Sequence, residues 1–167
     1  MVFAYYNSLS KGGKTTYRKS DRVTTLALPH NHQHSALVNS LRVALHDEDC
    51  KAAADACQQL ARCITRGLSI PPVVVRVLAR RPSDDYGELH GLYDPREGKA
   101  PPLITLWMRT AKRVQVVAFR SFLRTLLHEL CHHIDYEYLH LAESYHTEGF
   151  YKRESSLFRQ LVDGEVA

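Results

Sequence analysis

Several features that would announce a function are missing from this chain. Its four cysteines, Cys50, Cys57, Cys63 and Cys131, form no C-x-x-C pair. That argues against a cysteine-ligated zinc ribbon and for a reduced, cytoplasmic chain. No apolar run approaches the roughly 20 residues of a membrane-spanning helix. The opening "MVFAYYNSLSKGGKTT" has neither the apolar stretch nor the small-residue cleavage site of a secretory signal. No internal repeat or low-complexity tract is present. Neither charge sign dominates: 22 Lys and Arg face 18 Asp and Glu, a net charge of +4. That is mild for a dedicated nucleic-acid binder. The basic excess at Lys11, Lys14, Arg18, Lys19 and Arg22 leaves nucleic acid a weakly supported partner. "KGGKTT" lacks the first glycine of a phosphate-binding loop and follows no strand.

What is present is enough hydrophobic material, 44% of 167 residues, for one domain with its own core. Residues 1–35 are polar and rich in turn formers, and read as an irregular arm. They end in the alternating tract His30, His32, His34, which reads as part of that polar arm. Residues 36–48 and 50–67 carry apolar residues at helical spacing, with Gly67 as a stop, and predict a helical hairpin. Strands are expected at 71–79, 88–94 and 103–109. The last of these, "LITLWMR", suits equally an exposed edge for an extended peptide or a core strand. Residues 114–141 then read as one long helix, and 150–161 as a final one. Helices, a small sheet and helices again predict an α+β fold of about three strands packed on the long helix.

Within that helix stands "LLHELCHHID". On a wheel of about 100° per residue, His132 lies only about 40° from His128, so both imidazoles reach one ion. Glu129 falls beside them, placed to activate water. His133 lies about 140° from His128, on the side of Leu126 and Leu130, and reads as a packed residue. Cys131 reads as a small packing residue. Asp135, one turn past His132, reads equally as a partner that orients a ligand histidine or as an exposed helix aspartate. A catalytic zinc ion takes three protein ligands and keeps one open position. His140 stands about 12 Å along the axis from His132 if the helix continues, too far to contribute. His146, past the expected helix end, is the best third ligand, with Glu143 and Glu148 as alternatives. Tyr145, Tyr136 and Tyr151 are candidate donors to an oxyanion.

"HELCH", then fourteen residues to His146 in "HTEGF", resembles the SprT-like zinc metallopeptidase domains, which include the Spartan-type proteases. The resemblance spans residues 72–161 of a domain taken as 36–167, although Tyr145 stands where that family carries glycine. It implies a zincin-like fold and one catalytic Zn2+ held by His128, His132 and His146. It also implies Glu129 as the base and a peptide or protein as substrate. A zincin-like hydrolase of non-peptide substrates, or a regulatory module with bound zinc, remain as alternatives.

Overall fold

The computed structural model describes residues 2–98 and 100–164. It is an α+β arrangement of five α-helices and a three-stranded mixed sheet, with a separate two-stranded hairpin.

Residues 1–35 are not the irregular arm expected. A 3-10 helix at Ala4–Ser8 leads into α1, Lys11–Arg22, whose Ser10 cap accepts a hydrogen bond from Gly13 N at 3.0 Å. Only Tyr17 and Ser20 of α1 are buried, so the apolar stripe is too thin to read. The histidine tract leads directly into α2, Gln33–His46, with Asn31 Oδ1 accepting from Gln33 N.

Helices α2 and α3, Cys50–Gly67, form the expected hairpin. Asp49 caps α3 by accepting from Ala52 N at 2.9 Å. Ala53, Ala56, Cys57, Leu60, Ala61 and Ile64 make a buried stripe at helical spacing. Its position brings α3 against both α2 and β1, Val74–Arg80.

The expected strand at 88–94 divides. Ser83–Asp84 (β2) pairs with Gly87–Glu88 (β3), while Gly91–Asp94 (β4) joins the main sheet. Glu88 turns away to hold Arg81 and the Ala111 N–H. The sheet order is β1-β5-β4, with β5, Leu103–Arg109, parallel to β1 and antiparallel to β4. Strand β5 is therefore central rather than an exposed edge. Its residues 103–108 are all buried, which explains an apolar run broken only by Thr105, whose hydroxyl accepts from Arg76 Nε at 2.9 Å. The edge next to the motif belongs to β4.

The long helix is shorter than its pattern suggested: α4 spans Phe119–Glu137. Residues ahead of it are committed elsewhere, since Val117 N donates to Met108 O and Arg109 bridges Val116. At the other end the chain leaves the helix, with Leu141 N donating to Asp135 O and His140 at a φ of 52°. Leu123, Leu126, Leu127 and Leu130 are fully buried. Each contributes about 2 kcal/mol relative to exposure, which fixes α4 against the sheet. Helix α5, Glu148–Val162, packs on α4 and α1 and is capped by Thr147, which accepts from Phe150 N at 2.9 Å. Among the described residues, no helix is long and apolar enough to cross a membrane.

Candidate metal centre

Three imidazoles converge where α4 meets the loop before α5. His146 Nε2 lies 3.1 Å from His128 Nε2 and 3.1 Å from His132 Nε2. The helix brings together the first two, one turn apart, and the Thr147 cap starts α5 just after the third. Phe150, one turn into α5, packs on all three rings. The alternative ligands are engaged with other side chains. Glu143 accepts from Tyr136 OH at 2.7 Å, and Glu148 pairs with Lys152 at 2.9 Å.

The outer nitrogens of two of these rings are held. His128 Nδ1 lies 3.0 Å from Glu154 Oε2, and a carboxylate can only accept there, so Nδ1 carries the proton. His132 Nδ1 lies 2.7 Å from Ser144 Oγ, which in turn donates to Asp135 Oδ2 at 2.8 Å. In the neutral rings this leaves the lone pair of each Nε2 facing inward. Desolvation, with His128 and His146 alongside, pushes the His132 pKa down to about 3. His146 is lowered too, by desolvation and then by His128.

Neutral His128 and His132 hold no proton at Nε2, so with His146 Nε2 facing them the shared space can take a cation. A tetrahedral ion with Zn–N bonds of about 2.05 Å spaces its nitrogens about 3.3 Å apart, close to the separations here. The donor set, all neutral imidazole, suits zinc.

Glu129 lies beside this trio, 7% exposed. Burial raises its pKa to about 7, against the pull of His128 and a hydrogen bond from the Tyr93 backbone. A carboxylate poised there can take and return a proton near neutral pH. Two clefts meet at this point. One of about 390 Å³ runs over Tyr93, Tyr136 and Glu143, and the other, about 430 Å³, over His90, Arg124 and Tyr151. They share Gly91, His128 and Glu129.

The tyrosines separate. Tyr145 packs with Tyr5 and Tyr17 of the N-terminal segment and lines neither cleft. Tyr136 gives its hydroxyl to Glu143. Tyr151 lines the second cleft, with its ring 5.8 Å from that of His146. His133 faces the core as expected: Nε2 meets Pro71 O at 2.8 Å and Nδ1 meets Tyr93 OH at 3.0 Å. Cys131 is buried and free. Asp135 is buried too and reaches His132 only through Ser144.

Sequence reasoning missed Glu154, Ser144 and Arg153. Glu154 had one legible signal, its place one turn after Phe150 on the same face of α5. The other two had none, because their partners are distant in the chain. No family model, curated protein or solved structure matches this chain.

Proposed function

We propose that this chain is a zinc-dependent peptidase of the zincin kind, related in design to the SprT-like domains that its motif resembles. The observation that carries this reading is the convergence of His128, His132 and His146 through Nε2, with Glu129 beside them. An intact, buried glutamate at that point argues against a purely structural ion, which has no use for a base. The mixed sheet over α4, with β4 running beside the motif, supports zincin-like packing.

A zinc ion in this site supplies Lewis acidity to a scissile carbonyl. His128, His132 and His146 hold it, and Glu154 and Ser144 orient two of those rings. Glu129 takes a proton from the attacking water and passes it to the leaving amine. Tyr151 is the hydroxyl we assign to the developing oxyanion. An extended peptide is the substrate that best fits two clefts meeting at the glutamate, along a strand paired on one side only.

The test is metal content and cleavage together. Purified protein should carry about one zinc per chain and cleave casein or a mixed peptide library. Glu129→Gln should keep the zinc and lose at least about a hundredfold in rate. Protein that takes up no zinc overturns the metal reading. Undiminished cleavage by Glu129→Gln overturns the mechanism. Zinc uptake and turnover of a small ester without peptide cleavage would favour a non-peptide hydrolase.

A further inference from the structure

The contacts of His132 continue well beyond the metal centre. Ser144 Oγ gives its proton to Asp135 Oδ2 at 2.8 Å, so towards His132 Nδ1, at 2.7 Å, it can only accept. That arrangement places the His132 proton on Nδ1 and frees Nε2. The direction of the Ser144 hydroxyl is set in turn by Asp135, whose other oxygen accepts from Arg153 Nη2 at 2.8 Å. Both side chains of this ion pair are fully buried. Arg153 is anchored at its far side by the end of α1: Nη1 donates to the carbonyls of Ser20 and Val23 at 2.6 Å, and Nη2 to Ser20 Oγ at 3.0 Å. A helix C-terminus carries partial negative charge and unpaired carbonyls, which a guanidinium satisfies.

We propose that Ser144, Asp135 and Arg153 are positioning residues that lock His132 as its Nδ1–H tautomer, with the N-terminal helix α1 anchoring the chain of contacts. The effect on zinc affinity rests on the zinc-peptidase reading, whereas the tautomer belongs to the metal-free chain and is measured independently.

The two readouts, on the full chain, are imidazole ¹⁵N NMR of metal-free protein and zinc affinity by competition with a chelator. The unaltered protein should show His132 protonated at Nδ1. Asp135→Asn should invert this. Arg153 requires an acceptor, so the amide oxygen turns to it and the NH2 group turns to Ser144. Ser144 then accepts from the amide and donates to Nδ1, which moves the ring proton to Nε2. Zinc affinity should fall about 10- to 100-fold. Asp135→Asn also leaves a buried guanidinium without its carboxylate, which threatens folding. Ser144→Ala, at a partly exposed position, avoids that. It should give a mixture of His132 tautomers and about tenfold weaker zinc binding, whereas Ser144→Thr, which keeps the hydroxyl, should restore both. A folded Ser144→Ala protein with His132 still wholly Nδ1–H overturns the proposal. If the unaltered protein binds no zinc, the peptidase reading falls and the NMR result alone decides this one.

Discussion

Gly91 on the edge strand lies so close to Glu129 that a Cβ at this glycine would stand 2.7 Å from Glu129 Oε1 and 2.7 Å from Thr125 Cγ2. Backbone and carboxylate touch here, and only a residue without a side chain permits it. Gly91→Ala must therefore push the Glu129 carboxylate off its position or lift β4 away from α4. The atoms such a Cβ would meet belong to Glu129 and Thr125, and none of the three histidines is among them. We expect cleavage to fall about tenfold or more while zinc content stays at the unaltered level. Full activity in this variant would mean that the strand does not hold the glutamate.

Glu154 supports His128 directly, at 3.0 Å from Nδ1, and lies 3.7 Å from Arg124 Nη1. Outer partners of ligand histidines are worth about 10- to 100-fold in metal affinity. Glu154→Ala should weaken zinc binding by that factor in a chelator competition, with a larger loss than Glu154→Gln, whose amide oxygen can still accept. Equal affinity in both variants and the unaltered protein would remove Glu154 from the site.

The two halves of the site were not equally legible in the sequence. His128, Glu129 and His132 share one helix, so a periodicity argument places them, and the same wheel sends His133 to the core. His146 followed from chain reach past the helix end, and the SprT-like resemblance of "HTEGF" implied the same residue. Asp135 was flagged, but its link to His132 runs through Ser144, which no local spacing reveals. The N-terminal segment was misread because α1 buries only Tyr17 and Ser20 and shows a polar face nearly all round. Among the contacts that hold it in the fold are those of Arg153, 130 residues from Val23 in the chain, and of Gly149 with Asp21. Long-range polar contacts of that kind leave no periodic trace. Strand β4 was legible as a strand, but its place at the edge was not, because order within a sheet is a tertiary property.

Tyr151 is the only tyrosine among the early candidates that lines a cleft at the site without giving its hydroxyl to a neighbouring carboxylate. Tyr151→Phe keeps the ring packed between His146 and Phe150 and removes only the donor. We expect kcat/KM to drop about tenfold to a hundredfold at unchanged zinc content and thermal stability. A variant that cleaves normally would return the oxyanion role to another group.

His133 gives the fold a sensitivity to acid. Burial lowers its pKa below the ordinary 6.5, against the pull of the Pro71 carbonyl. Between the folded value and 6.5 the unfolded chain binds the extra proton, so this stabilisation is present above pH 6.5 and is lost as pH falls below it. The slope reaches up to about 1.4 kcal/mol per pH unit for one group. His34, His132 and His146 are shifted the same way, whereas Glu129 and Asp135, both raised, oppose them. Thermal unfolding of metal-free protein at pH 7.5 and 5.5 isolates the His133 share when compared with His133→Gln. Glutamine can donate to Pro71 and accept from Tyr93 but does not titrate, so the gap between the two melting temperatures should narrow. An unchanged gap would show that His133 takes its proton while folded.

Gly149, in the first turn of α5, is where α1 and α5 press on each other. A Cβ there would stand 2.5 Å from Asp21 O and 2.7 Å from Ser20 O, both backbone atoms that cannot swing aside. Gly149 N also donates to Asp21 Oδ1 at 2.9 Å. Gly149→Ala therefore forces α1 and α5 apart, at a cost of about 1–3 kcal/mol. For a chain of this size that lowers Tm by roughly 2–10 °C. The displacement also reaches the site, because Ser20 O and Val23 O hold Arg153 and Tyr5 OH donates to His146 O at 2.8 Å. Tyr5→Phe separates the two consequences. It removes one hydrogen bond at a partly exposed ring and leaves the helix junction intact. We expect Gly149→Ala to lose both stability and zinc affinity, and Tyr5→Phe to lose a few-fold in zinc affinity with Tm nearly unchanged. If Gly149→Ala melts early yet binds zinc as tightly as the unaltered protein, the N-terminal segment stabilises the fold without shaping the metal centre.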